Sequence, residues 1–254
     1  MIYSHSSISS FKQCPYKFKL RYIDKIIPEV KQTVEAFMGG IVHEVLEELY
    51  KDVSLGKLPE FSELQAKLVE KWKNCWTNDI LIVKEGMVKE NYFESALRFL
   101  KNYYDTYCPF NQGEILGVEE KITINIEGKE LVGYIDRLEK RGDEYYIIDY
   151  KTNNWLKSQE DIDADNQLAT YQIAVMEKYS TDKVVLNWHF LNFNELLQSK
   201  RTKEQIEALK KELVNSINII ESAKEFNTCK SRLCDWCEYK SMCPEFKITL
   251  NNFI

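Results

Sequence analysis

Two carboxylates and a lysine close neighbouring apolar runs: Asp136 in GYIDR (133–137), and Asp149 and Lys151 in IIDYKT (147–152). Side chains on a strand alternate faces, so Asp149 and Lys151 point to the same side. Two acids beside one ammonium suit a divalent metal and a water nucleophile. Mg²⁺ takes about six oxygen ligands and keeps several as water, so one or two carboxylates plus a substrate phosphate complete its shell. The metal would act as Lewis acid and lower the pKa of a bound water. Lys151 can orient or help deprotonate that water and stabilise the charge developing at phosphorus. The chemistry expected is phosphodiester hydrolysis. The competing reading makes each tripeptide the charged surface end of a strand. That reading wins for one tripeptide alone and loses ground when two end adjacent apolar strands.

His43, in GGIVHEVLEELY, is one of three histidines. An imidazole beside carboxylates would admit Mn²⁺ as well as Mg²⁺; the alternative is a helix histidine facing solvent. His5 and His189 are read as structural. Gln167 and Tyr171 stand four apart in NQLATYQIA, hence on one helix face. There an amide and a phenol can contact phosphate, base or the catalytic water, or simply form one polar and one half-buried position of an ordinary helix.

The elements that must carry these residues are legible in outline. Hydroxyl residues suited to N-capping open the chain, and Pro15 ends or bends a first short helix. Gly39 and Gly40 are expected to precede a helix with Val42, Val45, Leu46 and Leu49 as its buried stripe. Helices are expected at 60–78, 84–107, 161–178 and 202–225, and strands at 114–126, 130–139, 144–150 and 183–192. Turns fall at Glu127-Gly128 and Arg141-Gly142-Asp143. This order predicts one α/β domain over 1–254, with a helical insertion at about 44–110, a core at about 113–195, and a terminal helix with its cysteine group at about 202–246.

Of seven cysteines, Cys75 and Cys108 are isolated and expected to be buried thiols. Cys234, Cys237 and Cys243 form C-x2-C-x5-C, and a dense cysteine group in a chain without a signal pattern favours metal over disulfides. The fourth ligand is Cys14, if the tail folds back onto the first helix, or Cys229. Short thiolate spacings of this kind hold iron–sulfur clusters, while a local set of four would suit zinc. Either group would be structural, and folding would depend on its loading.

The 254 residues carry a net charge of −6, which counts against a nucleic-acid binder at the level of the whole chain. Basic residues nevertheless gather at Lys12, Lys17, Lys19, Arg21 and Lys25, and local fields govern binding. Without a long apolar run or a signal pattern, a cytoplasmic protein with no membrane association is expected.

The ordered set SHSSISSFKQCPYKF, GGIVHEVLE, GYIDR, IIDYKT, QLATY and the terminal cysteines resembles the RecB/AddB-type branch of the PD-(D/E)XK nucleases, and is similar to the iron–sulfur nucleases of CRISPR spacer acquisition. The resemblance runs from residue 4 to 244. It implies a restriction-endonuclease-like mixed sheet flanked by helices, with the N- and C-terminal segments joined at a cysteine-ligated cluster. It implies His43, Asp136, Asp149 and the Tyr150 carbonyl as metal ligands, Lys151 as catalytic lysine, and Gln167 and Tyr171 as DNA contacts. Glu119 fits an acidic position ahead of the hairpin. Cys14, Cys234, Cys237 and Cys243 would ligate a 4Fe–4S cluster. DYK in place of EYK is closer to the recombination nucleases than to the CRISPR ones. No GxxxxGK[ST] motif is present, so a helicase would be a partner rather than part of this chain. The expected function is a metal-dependent exonuclease on single-stranded DNA ends, in recombination, repair or CRISPR adaptation. The alternatives are a non-catalytic DNA-binding or assembly subunit and a zinc-stabilised interaction module.

Overall fold

The computed structural model describes residues 1–30 and 32–246. The chain opens with α1 (His5–Gln13), α2 (Pro15–Phe18) and a π-helical turn (Lys19–Ile23). A short strand β1 (Gln32–Thr33) leads into α3 (Val34–Ser54), then α4 (Phe61–Cys75), β2 (Ile80–Leu81) and α5 (Lys89–Tyr107). The meander β3 (Glu114–Ile126), β4 (Lys129–Arg141) and β5 (Glu144–Lys151) follows. Next come α6 (Gln159–Asp163), α7 (Gln167–Tyr179), β6 (Val184–Phe190), β7 (Glu195–Ser199) and α8 (Lys203–Ser222), and short 3-10 turns carry the last cysteines.

β3 to β7 form one five-stranded sheet in sequence order. β3, β4 and β5 are antiparallel, β5 and β6 are parallel through the α6–α7 crossover, and β7 returns antiparallel. Glu127 and Gly128 both have positive φ, 50° and 78°, as the tight hairpin turn that matches strand twist requires. The apolar segment of β5 is covered on both faces. Ile147 packs with α1, α7 and α8 on one side; Ile148 and Tyr150 pack with α3, α4 and α5 on the other. The fold is thus the expected mixed α/β sheet flanked by helices.

Four local expectations are corrected. Thr33 caps α3, its side chain accepting from Ala36 N–H, so the Gly39–Gly40 pair lies inside that helix rather than before it. A Cβ at Gly39 would stand 3.0 Å from Thr152 Oγ1, so the glycine lets α3 approach the end of β5. The single helix expected at 161–178 is two, because Asp165 Oδ1 accepts the Gln167 N–H at 2.8 Å and starts α7 afresh. β7 was not expected. Cys75 and Cys108 are exposed, each at the C-terminal end of an amphipathic helix and off its buried face. Among the described residues no helix is long and apolar enough to cross a membrane.

Candidate active site

β4 and β5 pair Arg137 with Ile148, which leaves Asp136 and Asp149 one step beyond on each strand. Asp136 Oδ2 accepts the Tyr150 N–H at 2.8 Å and lies 3.4 Å from His43 Nδ1. The other ring nitrogen of His43 lies 2.9 Å from the Tyr150 carbonyl oxygen. β3 contributes Glu119, bracketed by the Val118–Arg137 and Glu120–Ile135 pairs and so facing Asp136 across the hairpin. One ligand atom each from His43, Glu119 and Asp136 lie within 4.8 Å of one another. Glu119 adopts φ 49°, a left-handed conformation uncommon for a non-glycine residue and tolerated where surroundings enforce it.

Asp149 sits next to this group in a separate clasp. Lys151 Nζ is 2.7 Å from Asp149 Oδ2 and donates to Gln167 Oε1 at 2.9 Å. Gln167 Nε2 in turn donates to Asp149 Oδ1 at 2.9 Å. Gln167, expected to touch DNA, therefore first fixes the acid–lysine pair. Tyr171 lies against Gly133: a Cβ there would meet its ring at 2.4 Å, so the strand glycine admits the phenol. All these groups except Glu119 line one cleft of about 640 Å³.

The buried charges of the cleft are closely coupled. Burial pulls the His43 pKa down, but Asp136 beside it more than offsets this and holds it up to about 9. Burial raises the Asp149 carboxyl despite Lys151, and burial opposes, while Asp149 favours, the charged Lys151, whose pKa is raised on balance. Asp149 Oδ2 is buried, with Lys151 Nζ at 2.7 Å as its ionic partner. Carboxylates, one imidazole and a carbonyl are a hard, oxygen-rich donor set, and they fit Mg²⁺ or Mn²⁺ better than a soft metal.

Residues 2–244 match the PD-(D/E)XK nuclease superfamily. The chain belongs to that superfamily. Among solved structures, a candidate exonuclease from Eubacterium rectale superposes with a TM-score of 0.52 at 12% identity, covering 100% of this nuclease and 90% of that chain. The structure of SSO0001 matches at TM-score 0.41 and 13% identity, over 94% of this chain and 84% of that one. No curated protein matches the sequence.

The cysteines of this nuclease also converge. Cys14, Cys229, Cys234, Cys237 and Cys243 line one cavity. Cys229 is exposed, whereas the other four are half-buried. The chain ends are stitched around them. Tyr16 N–H donates to Asn227 O at 3.2 Å, Lys17 and Arg21 pair with Glu238 at 2.9 and 3.1 Å, and Tyr239 Oη donates to Ile26 O at 2.9 Å. Half-buried thiols on one cavity fit a tetrathiolate-held group.

Sequence reasoning missed Ser4, Ser6, Thr152 and Asn153 as cleft residues. Tyr3 bonds both ways to β4, to Glu130 O at 2.9 Å and from Val132 N at 2.8 Å, and this long-range bridge brings Ser4 and the N-terminus of α1 to the cleft. No local pattern encodes it. Gly133 did carry a signal, as a glycine inside a strand.

Proposed function

We propose that this nuclease is a Mg²⁺- or Mn²⁺-dependent deoxyribonuclease that degrades single-stranded DNA from its ends, in recombination, repair or related DNA processing. The observation that carries the reading is the Asp149–Lys151–Gln167 clasp beside His43 and Asp136 in a single cleft, with Glu119 within ligand reach of both. His43, Asp136, Asp149 and the Tyr150 carbonyl would hold the metal, with Glu119 as a further carboxylate. The metal, when bound, supplies Lewis acidity and an acidified water. Lys151, tethered on two sides, directs its ammonium to a non-bridging phosphate oxygen and to the attacking water. Gln167 keeps that ammonium from collapsing wholly onto Asp149. Tyr171 walls the cleft where the strand passes. End-directed action is supported by the fold shared with the Eubacterium rectale candidate exonuclease. The overall negative charge supports delivery of the strand by a helicase or another DNA-processing protein.

Cys14, Cys234, Cys237 and Cys243 are assigned to a 4Fe–4S cluster, because Cys14 shares their cavity and their burial and Cys229 does not share the burial; zinc on the same thiolates is the alternative. A non-catalytic DNA-binding subunit on this fold would not need the acid–lysine set, which here is whole. The test is cleavage of end-labelled single- and double-stranded DNA with Mg²⁺ or Mn²⁺ by the parent protein, Asp149→Ala and Lys151→Ala. Each variant should lose at least about a hundredfold in rate while DNA binding persists. Undiminished cutting by both purified variants would remove the assignment.

A further inference from the structure

A second cavity, of 440 Å³, adjoins the catalytic cleft. The two share Thr152 and Asn153, the residues directly after the catalytic lysine, so a strand lying in one passes the mouth of the other. The walls come from distant parts of the chain: Glu35 at the start of α3, Tyr92 on α5, Trp155 after β5, and Trp236 from the cysteine segment. Trp155 is 65% exposed and Trp236 36%. Large apolar side chains left on the rim of a concave site mark a binding surface rather than core. The polar group inside is Glu35. Its Oε1 accepts from Tyr92 Oη at 3.1 Å, whereas Oε2 is buried with no hydrogen-bond partner. A buried carboxylate oxygen in that state lacks a donor. Lys84 adds a cation to the same wall.

We propose that this cavity is a nucleobase subsite, in which an unstacked base of the DNA strand being cut stacks on Trp155 and Trp236 and donates an N–H to Glu35 Oε2. Aromatic faces, one unfilled acceptor and a nearby cation match the three parts of a nucleotide: ring face, ring edge and phosphate. A carboxylate oxygen accepts well from the exocyclic amine of cytosine. Thymine offers only an N3–H flanked by two carbonyls, so the pocket discriminates against it. Trp236 stands between Cys234 and Cys237, so whatever those thiolates hold also fixes one wall of the subsite. The inference rests on the neighbouring cleft being the place of a DNA phosphodiester.

The experiment uses the full chain without divalent metal and fluorescent oligodeoxycytidine and oligothymidine, with affinity read by anisotropy. Trp155→Ala should weaken oligodeoxycytidine binding roughly ten- to a hundredfold, the loss of one aromatic stack, and Trp155→Phe should recover most of it. Glu35→Gln should reduce the preference for oligodeoxycytidine over oligothymidine. Trp155 is exposed, so its loss takes nothing from the core, and a melting curve verifies this. Unchanged affinity in both Trp155→Ala and Trp236→Ala overturns the proposal and leaves the groove to a protein segment. Cleavage by the parent is measured alongside. If the parent cuts while the tryptophan variants bind normally, the subsite alone falls; if the parent neither binds nor cuts DNA, the nuclease reading falls with it.

Discussion

Asp136 and Arg137 are neighbours on β4, and both face the α3 side of the sheet, Asp136 toward His43 and Arg137 toward Tyr50. Each meets a histidine. Asp136 holds His43 charged against the pull of burial, up to about 9. On the same side His189 is buried among the rings of Tyr103 and Tyr107, at 5.0 and 5.1 Å. Burial there, reinforced by Arg137, pushes its pKa down to about 4. On the sequence His189 reads as structural and His43 is evenly balanced on spacing alone, a ligand only by the family resemblance; the fold adds the physical difference, an acid beside one and aromatic rings with an arginine beside the other. The consequence is a pH-dependent stability. As pH falls through 6.5 the unfolded chain takes up a proton at His189 that the folded chain refuses until about 4. Stability is therefore full above 6.5 and declines across that window, by about 3 kcal/mol at ~1.36 kcal/mol per pK unit. Urea unfolding of the parent and His189→Gln at pH 7 and pH 4.5 measures this. The parent should lose more stability than the variant, and equal losses would refute the assignment.

At the scale of elements, the meander was legible because its turns carry their own chemistry. Glu127-Gly128 and Gly142 sit at the positive φ their positions require. The α6–α7 break was not, since it comes from one carboxylate catching one N–H with no proline or glycine to mark it. β7, ELLQS, is too short and mixed to stand out from a loop. β4 hides a further feature. Ile135 and Leu138 both join the core on the α7 side, so strict alternation fails at Asp136, just where the strand delivers its acid. Beyond that point Arg137 turns into the α3–α5 side. Its Nε is 3.0 Å from Glu139 Oε1, its guanidinium lies 3.7 Å over the Tyr50 ring, and Nη1 donates to Tyr103 Oη at 2.7 Å. Arg141 completes the group at 2.7 Å from Glu139 Oε2. Removing one member of a buried pair strands the other charge, which costs about 3–5 kcal/mol. Glu139→Gln should lower unfolding stability by that order in denaturant titration, far more than Glu207→Gln on the exposed face of α8. A loss under about 1 kcal/mol would mean that the tyrosines alone suffice to hold Arg137.

For the whole molecule, the problem is how two chain ends come to frame one site. α1 reaches the cleft through Tyr3, and the last turns reach the second cavity through Trp236. What links these ends is the cavity shared by Cys14 and the C-terminal cysteines. A cross-link from Cys14 to Cys234 closes a loop of about 220 residues, and on the chain-entropy account closure of such a loop restricts the unfolded state by about 5 kcal/mol. The C-x2-C-x5-C spacing was visible from sequence, but the choice of fourth thiol was not, because Cys14 and Cys229 differ only in where the fold puts them. The burial pattern makes the prediction. Cys14→Ser should lose bound iron and acid-labile sulfide and melt well below the parent, and Cys229→Ser should keep both its metal and its melting temperature. The reverse pattern would make the set local to the tail. The termini would then be held by the Glu238 ion pairs and the Tyr239 hydrogen bond, and Cys14→Ser would leave the placement of α1 at the cleft intact.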